Sequence, residues 1–151
     1  MRHRHCFPFV VEEDDDFALM LQRALQKAGV PKGNVHRFRD GESALNTLRT
    51  IDVVRPSLVF LDLQLPGMSG LSLLERLRSW ERLEHLPAFV LSGQAEPDHV
   101  ASAYALRAGG YWVKPGSDSE LLEIVQGILE SLGRLGRTPL PRCLPDPRFG
   151  K

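Results

Sequence analysis

The sequence predicts an α/β domain: a doubly wound, five-stranded parallel sheet with helices on both faces. Short apolar runs alternate with amphipathic segments along the chain. Two of those runs, at 58–61 and 88–91, are apolar almost throughout, as in strands that are covered on both faces. Right-handed crossovers between parallel strands then leave a sheet sandwiched between helices as the sensible architecture.

Phe7-Pro8-Phe9-Val10-Val11 is the first strand. Phe17, Leu21, Ala24, Leu25 and Ala28 recur at helical spacing, and Gly29 stops that helix. Val35-His36-Arg37-Phe38 is a short second strand, and Asp40 is a good N-cap for a helix carrying Ala44, Leu45 and Leu48. Pro56 breaks the chain before the third strand, 58–61, and a third helix runs from about Ser69 to Trp80. Pro87 precedes the fourth strand, 88–92, and Pro97 opens a helix through Leu106, at a position where the first turn tolerates proline. Tyr111-Trp112-Val113 is a brief fifth strand. Ser117 or Asp118 caps a last helix carrying Leu121, Leu122, Val125, Ile128, Leu129 and Leu132.

At 151 residues the chain reads as one domain, 1–133, followed by a tail, 134–151. The tail holds Arg134, Arg137, Arg142, Arg148 and Lys151 against Asp146 alone, together with Pro139, Pro141, Pro145 and Pro147. It is expected to be extended or disordered unless something binds it. Total charge is balanced, 19 bases against 19 acids, and gives no case for nucleic acid. No window is apolar enough to span a membrane, the basic start lacks the core of a signal peptide, and Cys6 and Cys143 form no disulfide framework. A cytoplasmic protein is expected. His3, His5 and Cys6 read as part of a basic terminus rather than as metal ligands.

Four strand ends finish in useful chemistry. The first runs into Glu12-Glu13-Asp14-Asp15-Asp16, the third ends at Asp62, the fourth at Ser92, and the fifth is followed by Lys114-Pro115. Singly these are a solvated charge run, a strand cap and turn residues. In a parallel sheet they converge on the carboxyl edge, where ligands of open α/β sheets bind. Crowded carboxylates raise one another's pKa unless a cation compensates. Hard oxygen donors suit Mg²⁺, which would screen the acids and polarise a phosphoryl group. With a lysine and a hydroxyl to hold phosphoryl oxygens, Asp62 becomes a nucleophile, and the chemistry is that of an aspartyl phosphate.

The set Val10-Val11-Glu12-Glu13-Asp14, Leu61-Asp62-Leu63-Gln64-Leu65-Pro66-Gly67-Met68-Ser69-Gly70, Val90-Leu91-Ser92-Gly93 and Tyr111-Trp112-Val113-Lys114-Pro115 resembles the receiver domains of two-component response regulators. The likeness covers residues 7 to about 132. It looks most like small stand-alone regulators, including those paired with bacterial phytochrome kinases, through Phe17-Ala18-Leu19, Arg23-Ala24-Leu25 and Arg39-Asp40-Gly41-Glu42-Ser43-Ala44-Leu45. The resemblance implies a flavodoxin-like sheet of order 2-1-3-4-5. It makes Asp62 the phosphoacceptor from a sensor histidine kinase, with a bacteriophytochrome among the candidates. Glu12, Glu13, Asp62 and the Gln64 carbonyl become ligands of Mg²⁺ or Mn²⁺. Ser92 and Lys114 bind the phosphoryl group, and Tyr111 is an aromatic switch that swings inward. Gln64 and Gln94 fall where the family tunes phosphoryl loss, and the Lys114–Pro115 bond is expected to be cis. No activity is implied beyond Mg²⁺-dependent self-phosphorylation and autodephosphorylation.

The second acid of the family's pair is usually Asp, and the longer Glu13 crowds an octahedral metal, so Asp14 is the possible substitute. Arg107 stands where the family often has Gly in a left-handed cap. Output is expected through a downstream protein or a phosphotransfer domain, without DNA binding or membrane attachment. A homodimer on the fourth helix, fifth strand and fifth helix is also expected, with Tyr104, Leu106 and Trp112 near that face and the tail reaching over the neighbour. The alternatives are a pseudo-receiver left unphosphorylated because of Glu13, a phosphotransferase or phosphatase, and a flavin carrier. Such enzymes want an acid where this chain has Gln64, and a flavin carrier wants a glycine-rich phosphate loop that the chain lacks.

Overall fold

The computed structural model describes residues 3–50, 56–133 and 140–149. Strands and helices alternate as β1 (Pro8–Val11), α1 (Asp15–Lys27), β2 (His36–Phe38), α2 (Gly41–Thr50), β3 (Leu58–Leu61), α3 (Gly70–Ser79), β4 (Ala88–Ser92), α4 (Pro97–Ala105), β5 (Gly110–Val113) and α5 (Asp118–Leu132). The strands form one parallel sheet in the order β2-β1-β3-β4-β5. A 3-10 turn at Lys32–Asn34 went unread, because Lys-Gly-Asn carries no apolar periodicity.

Each strand sends alternate side chains to opposite faces. Phe9, Val11, Val59, Leu61, Val90 and Tyr111 pack with α2, α3 and α4. Val10, Leu58, Phe60, Leu91 and Trp112 pack with α1 and α5. Fully burying each such side chain is worth about 1.5–3 kcal/mol. Trp112, which the sequence left between packing and an interface, is fully buried in the second core.

Register brings the chemical residues together. Val11 pairs with Leu61 and with Phe38, and Ser92 pairs with Val113, so the strands end nearly level at one edge. Caps then fix where each helix departs from it. The side chains of Asp14, Asp40, Ser69 and Ser117 accept backbone N–H groups of α1, α2, α3 and α5. Gly70 opens α3 against the backbone of Asp62 and Leu63, too close for any Cβ, and its N–H donates to the Leu63 carbonyl at 2.9 Å.

The tail differs from expectation where it is described. Residues 140–149 lie on the chain's own domain, with Leu140 and Cys143 packed against one core and Leu144 against the other. Apolar groups set among the bases and prolines make this possible. Residues 134–139 and 150–151 lie outside the described residues.

Candidate functional site

Glu12, Asp62 and Ser92, from the ends of β1, β3 and β4, are the only buried polar or charged side chains among the described residues. The Lys114 ammonium stands between the two acids, 2.9 Å from Glu12 Oε1 and 2.9 Å from Asp62 Oδ2. The remaining oxygens are also held. Glu12 Oε2 accepts the Asp14 N–H at 3.0 Å, and Asp62 Oδ1 accepts the Gln64 N–H at 3.0 Å. The result is a buried carboxylate pair sharing one cation, ringed by backbone donors.

Electrostatics follow from that geometry. Burial pushes the Glu12 carboxyl above its ordinary range, and nearby Asp62 adds to the shift, while Lys114 and the Asp14 N–H oppose it. Burial alone would lower the Lys114 pKa, but its hydrogen bonds to Asp62 and Glu12 prevail and hold it above the ordinary lysine range. The face of the Phe17 ring lies 4.9 Å from the ammonium and lines its other side.

The acidic loop is shaped from β2. Arg37 Nε and Nη2 donate to the Glu12 carbonyl at 2.9 and 2.7 Å, and Nη2 reaches the Glu13 carbonyl at 3.0 Å. Its Nη1 pairs with Asp15 at 2.8 Å, and Arg39 also reaches Asp15. Those two arginines hold the Asp15 carboxyl below its usual range. The sequence assigns neither Arg37 nor Phe17 a role at this site. The available signal was a lone arginine on the strand predicted to neighbour the acidic run.

The other expected site residues fall as follows. Glu13 is exposed, and Gln64 is exposed. Asp14 is spent as the cap of α1, its Oδ1 accepting the N–H groups of Asp16 and Phe17, which leaves it badly placed as the substitute ligand. Tyr111 is already inward and fully buried, its hydroxyl donating to the Gln94 carbonyl at 2.7 Å. Arg107 takes the left-handed conformation, φ 62°, that the family likeness implied for that position.

One expectation is corrected. The Lys114–Pro115 bond is trans, since no cis peptide bond occurs among the described residues. Trans is favoured by about 0.5–1 kcal/mol at X–Pro. Here the Lys114 N–H continues the β4–β5 ladder to the Ser92 carbonyl at 2.8 Å, and the side chain reaches both acids.

Among the described residues no three His, Cys, Asp or Glu side chains converge as a metal-ion ligand set. The donor chemistry nonetheless fits a hard divalent cation, with two buried carboxylates and a third acid on the adjoining loop. No helix among the described residues is long and apolar enough to cross a membrane.

Comparison with known proteins agrees with this geometry. A family profile described as the response regulator receiver domain matches residues 9–126. A probable methanogenesis regulatory protein, FilR2, of Methanothrix harundinacea is 32% identical over 140 residues, covering 89% of this chain and 90% of that protein. The chemotaxis protein CheY-3 of Vibrio cholerae is 32% identical over 121 residues, covering 78% of this chain and 89% of its own. Among solved structures, the phosphorylated cyanobacterial phytochrome response regulator RcpA superposes with a TM-score of 0.75 at 33% identity, covering 89% of this chain and 96% of that one. The Mn²⁺-bound form of response regulator Rcp1 gives 0.72 at 28% identity, covering 89% and 97%.

Proposed function

Because this chain belongs to the response regulator receiver family, we propose that it is a phosphorylation switch whose phosphoacceptor is Asp62. The observation that carries this reading is the Lys114 ammonium, 2.9 Å from a buried Asp62 carboxylate at the carboxyl edge of the sheet. A carboxylate oxygen of Asp62 attacks the phosphorus of a phosphohistidine. The P–O bond forms as the P–N bond breaks, and the kinase histidine departs with that electron pair. Mg²⁺, held by Glu12, Glu13, Asp62 and the Gln64 carbonyl, would neutralise charge on the transferring group. Lys114 is placed to pair with a phosphoryl oxygen, and the buried Ser92 hydroxyl to donate to another. Tyr111, hydrogen-bonded to the loop after Ser92, carries the change outward.

The donor is a sensor histidine kinase. Likeness to a phytochrome response regulator at 33% identity favours a bacteriophytochrome among such kinases. Output runs through a downstream protein or phosphotransfer domain rather than DNA. We also infer a homodimer through α4, β5 and α5. Tyr104 and Leu106 border that face and Val113 is exposed on it, whereas Trp112 is withdrawn from it.

A second reading, the unphosphorylated pseudo-receiver, is favoured by one observation. Lys114 already bridges the buried pair, while Glu13 is exposed and Asp14 caps a helix. Incubation with a small phosphodonor and Mg²⁺, followed by intact mass, separates the two. Wild type is expected to gain one phosphoryl group that disappears without Mg²⁺ and in Asp62→Asn. Full labelling of Asp62→Asn would sink the assignment, and an unmodified wild type would favour the pseudo-receiver.

A further inference from the structure

The segment Leu140–Leu144 sits in a groove formed by α4, β5 and α5, through contacts of several kinds. The Trp112 indole N–H donates to the Pro141 carbonyl at 2.7 Å. The Leu144 N–H donates to the Tyr111 carbonyl at 2.8 Å, adding one rung to the outer edge of β5. The Tyr104 hydroxyl donates to the Leu144 carbonyl, and Cys143 Sγ lies 3.3 Å from that same hydroxyl. Arg142 points towards Glu120 and Glu123 of α5, at 3.8 and 3.5 Å. Gly127 makes room for the Pro141 ring, since a Cβ there would stand 2.5 Å from Pro141 Cδ.

Two features show that the groove and the segment fit each other specifically. Trp112 is fully buried, so its N–H needs an acceptor inside the protein, and the acceptor comes from the tail. Arg142 has φ 60°, a left-handed conformation that a non-glycine residue keeps only where its surroundings over-determine it. Here both neighbours of Arg142 are anchored, Pro141 by Trp112 and Cys143 beside Tyr104.

We propose that this groove is a peptide-recognition site and that its ligand is the chain's own Leu-Pro-Arg-Cys-Leu segment, 140–144. Trp112 reads the proline carbonyl, Gly127 admits its ring, the acids of α5 favour the arginine, and Tyr104 with the edge of β5 fixes the leucine backbone. Any partner approaching the outer edge of β5 therefore competes with the tail. The proposal stands apart from the assignment of Asp62. The two share only Tyr111, whose hydroxyl faces Gln94 while its carbonyl holds Leu144.

The test uses the full chain in a Cys6→Ser background, so that Cys143 is the sole thiol. Maleimide alkylation followed by mass reports release of the tail. Leu144→Asp on the segment and Gly127→Val in the groove are each expected to raise the alkylation rate about tenfold, as local opening exposes the thiol. A labelled peptide of residues 140–149 is expected to bind Leu144→Asp, whose groove is vacated, and to be excluded from wild type. If Gly127→Val fails to fold, Leu144→Asp decides alone, its changed side chain lying outside the helices and strands. An unchanged alkylation rate in Leu144→Asp, or a peptide that does not distinguish it from wild type, would overturn the proposal.

Discussion

Lys114 is the residue that lets two buried carboxylates share one cleft. Leaving one partner of a buried ion pair uncompensated costs about 3–5 kcal/mol. Lys114→Met is therefore expected to destabilise the protein strongly at pH 8 and much less near pH 5, where Glu12, already raised by burial, takes up a proton. In wild type the direction is the same but the window lies higher, in the lysine range. A lysine raised on folding contributes stability that is fully present below its unfolded pKa and lost as pH climbs through the folded one. Urea denaturation of both proteins across pH checks each arm, and a pH-independent deficit in the variant would refute the account. At Glu13, shortening the side chain should relieve crowding, so Glu13→Asp is expected to tighten Mg²⁺ binding in a calorimetric titration. Unchanged or weaker binding would put the third oxygen elsewhere. Glu12, Asp62, Ser92 and Lys114 were legible in the sequence because each ends or follows an apolar run that announces its strand. Arg37 and Phe17 were not, since their roles arise only when β2 lies beside β1 and Lys114 folds over α1.

At the scale of elements, the loop between β1 and α1 is held by a residue of another strand. Arg37 ties the carbonyls of Glu12 and Glu13 to β2 and pairs with Asp15 at the start of α1. The guanidinium fork allows several bonds at once, which a lysine cannot copy. Arg37→Lys is thus expected to keep the fold yet speed hydrogen exchange of the 12–16 amides and weaken Mg²⁺ binding. Exchange at the wild-type rate would show that the acidic loop holds its own shape. Strands 58–61 and 88–92 matched the sequence reading end to end, because a strand buried on both faces leaves an unbroken apolar signature. The edge strands β2 and β5 shifted by a residue, their ends being set by tertiary pairing.

For the whole molecule, the doubly wound parallel sheet and the convergence of four strand ends followed from alternation and handedness, and the strand order from the family resemblance. The seat of the tail did not, since its bases and prolines hid three residues able to pack, Leu140, Cys143 and Leu144. A homodimer on α4, β5 and α5 must accommodate segment 140–144 on the same face. Because the seated tail competes for the edge of β5, sedimentation at several concentrations is expected to show a dimer that tightens in Leu144→Asp. A monomer throughout, with or without phosphodonor, would defeat it. The rung from Leu144 to Tyr111 carries one more consequence, for colloidal behaviour. β5 ends the sheet, and an uncovered end strand is a template on which other chains stack and precipitate. By laying one rung on that edge from a segment whose prolines carry no N–H, the chain covers part of its sheet's end with its own backbone and obstructs the stacking of an aggregate there.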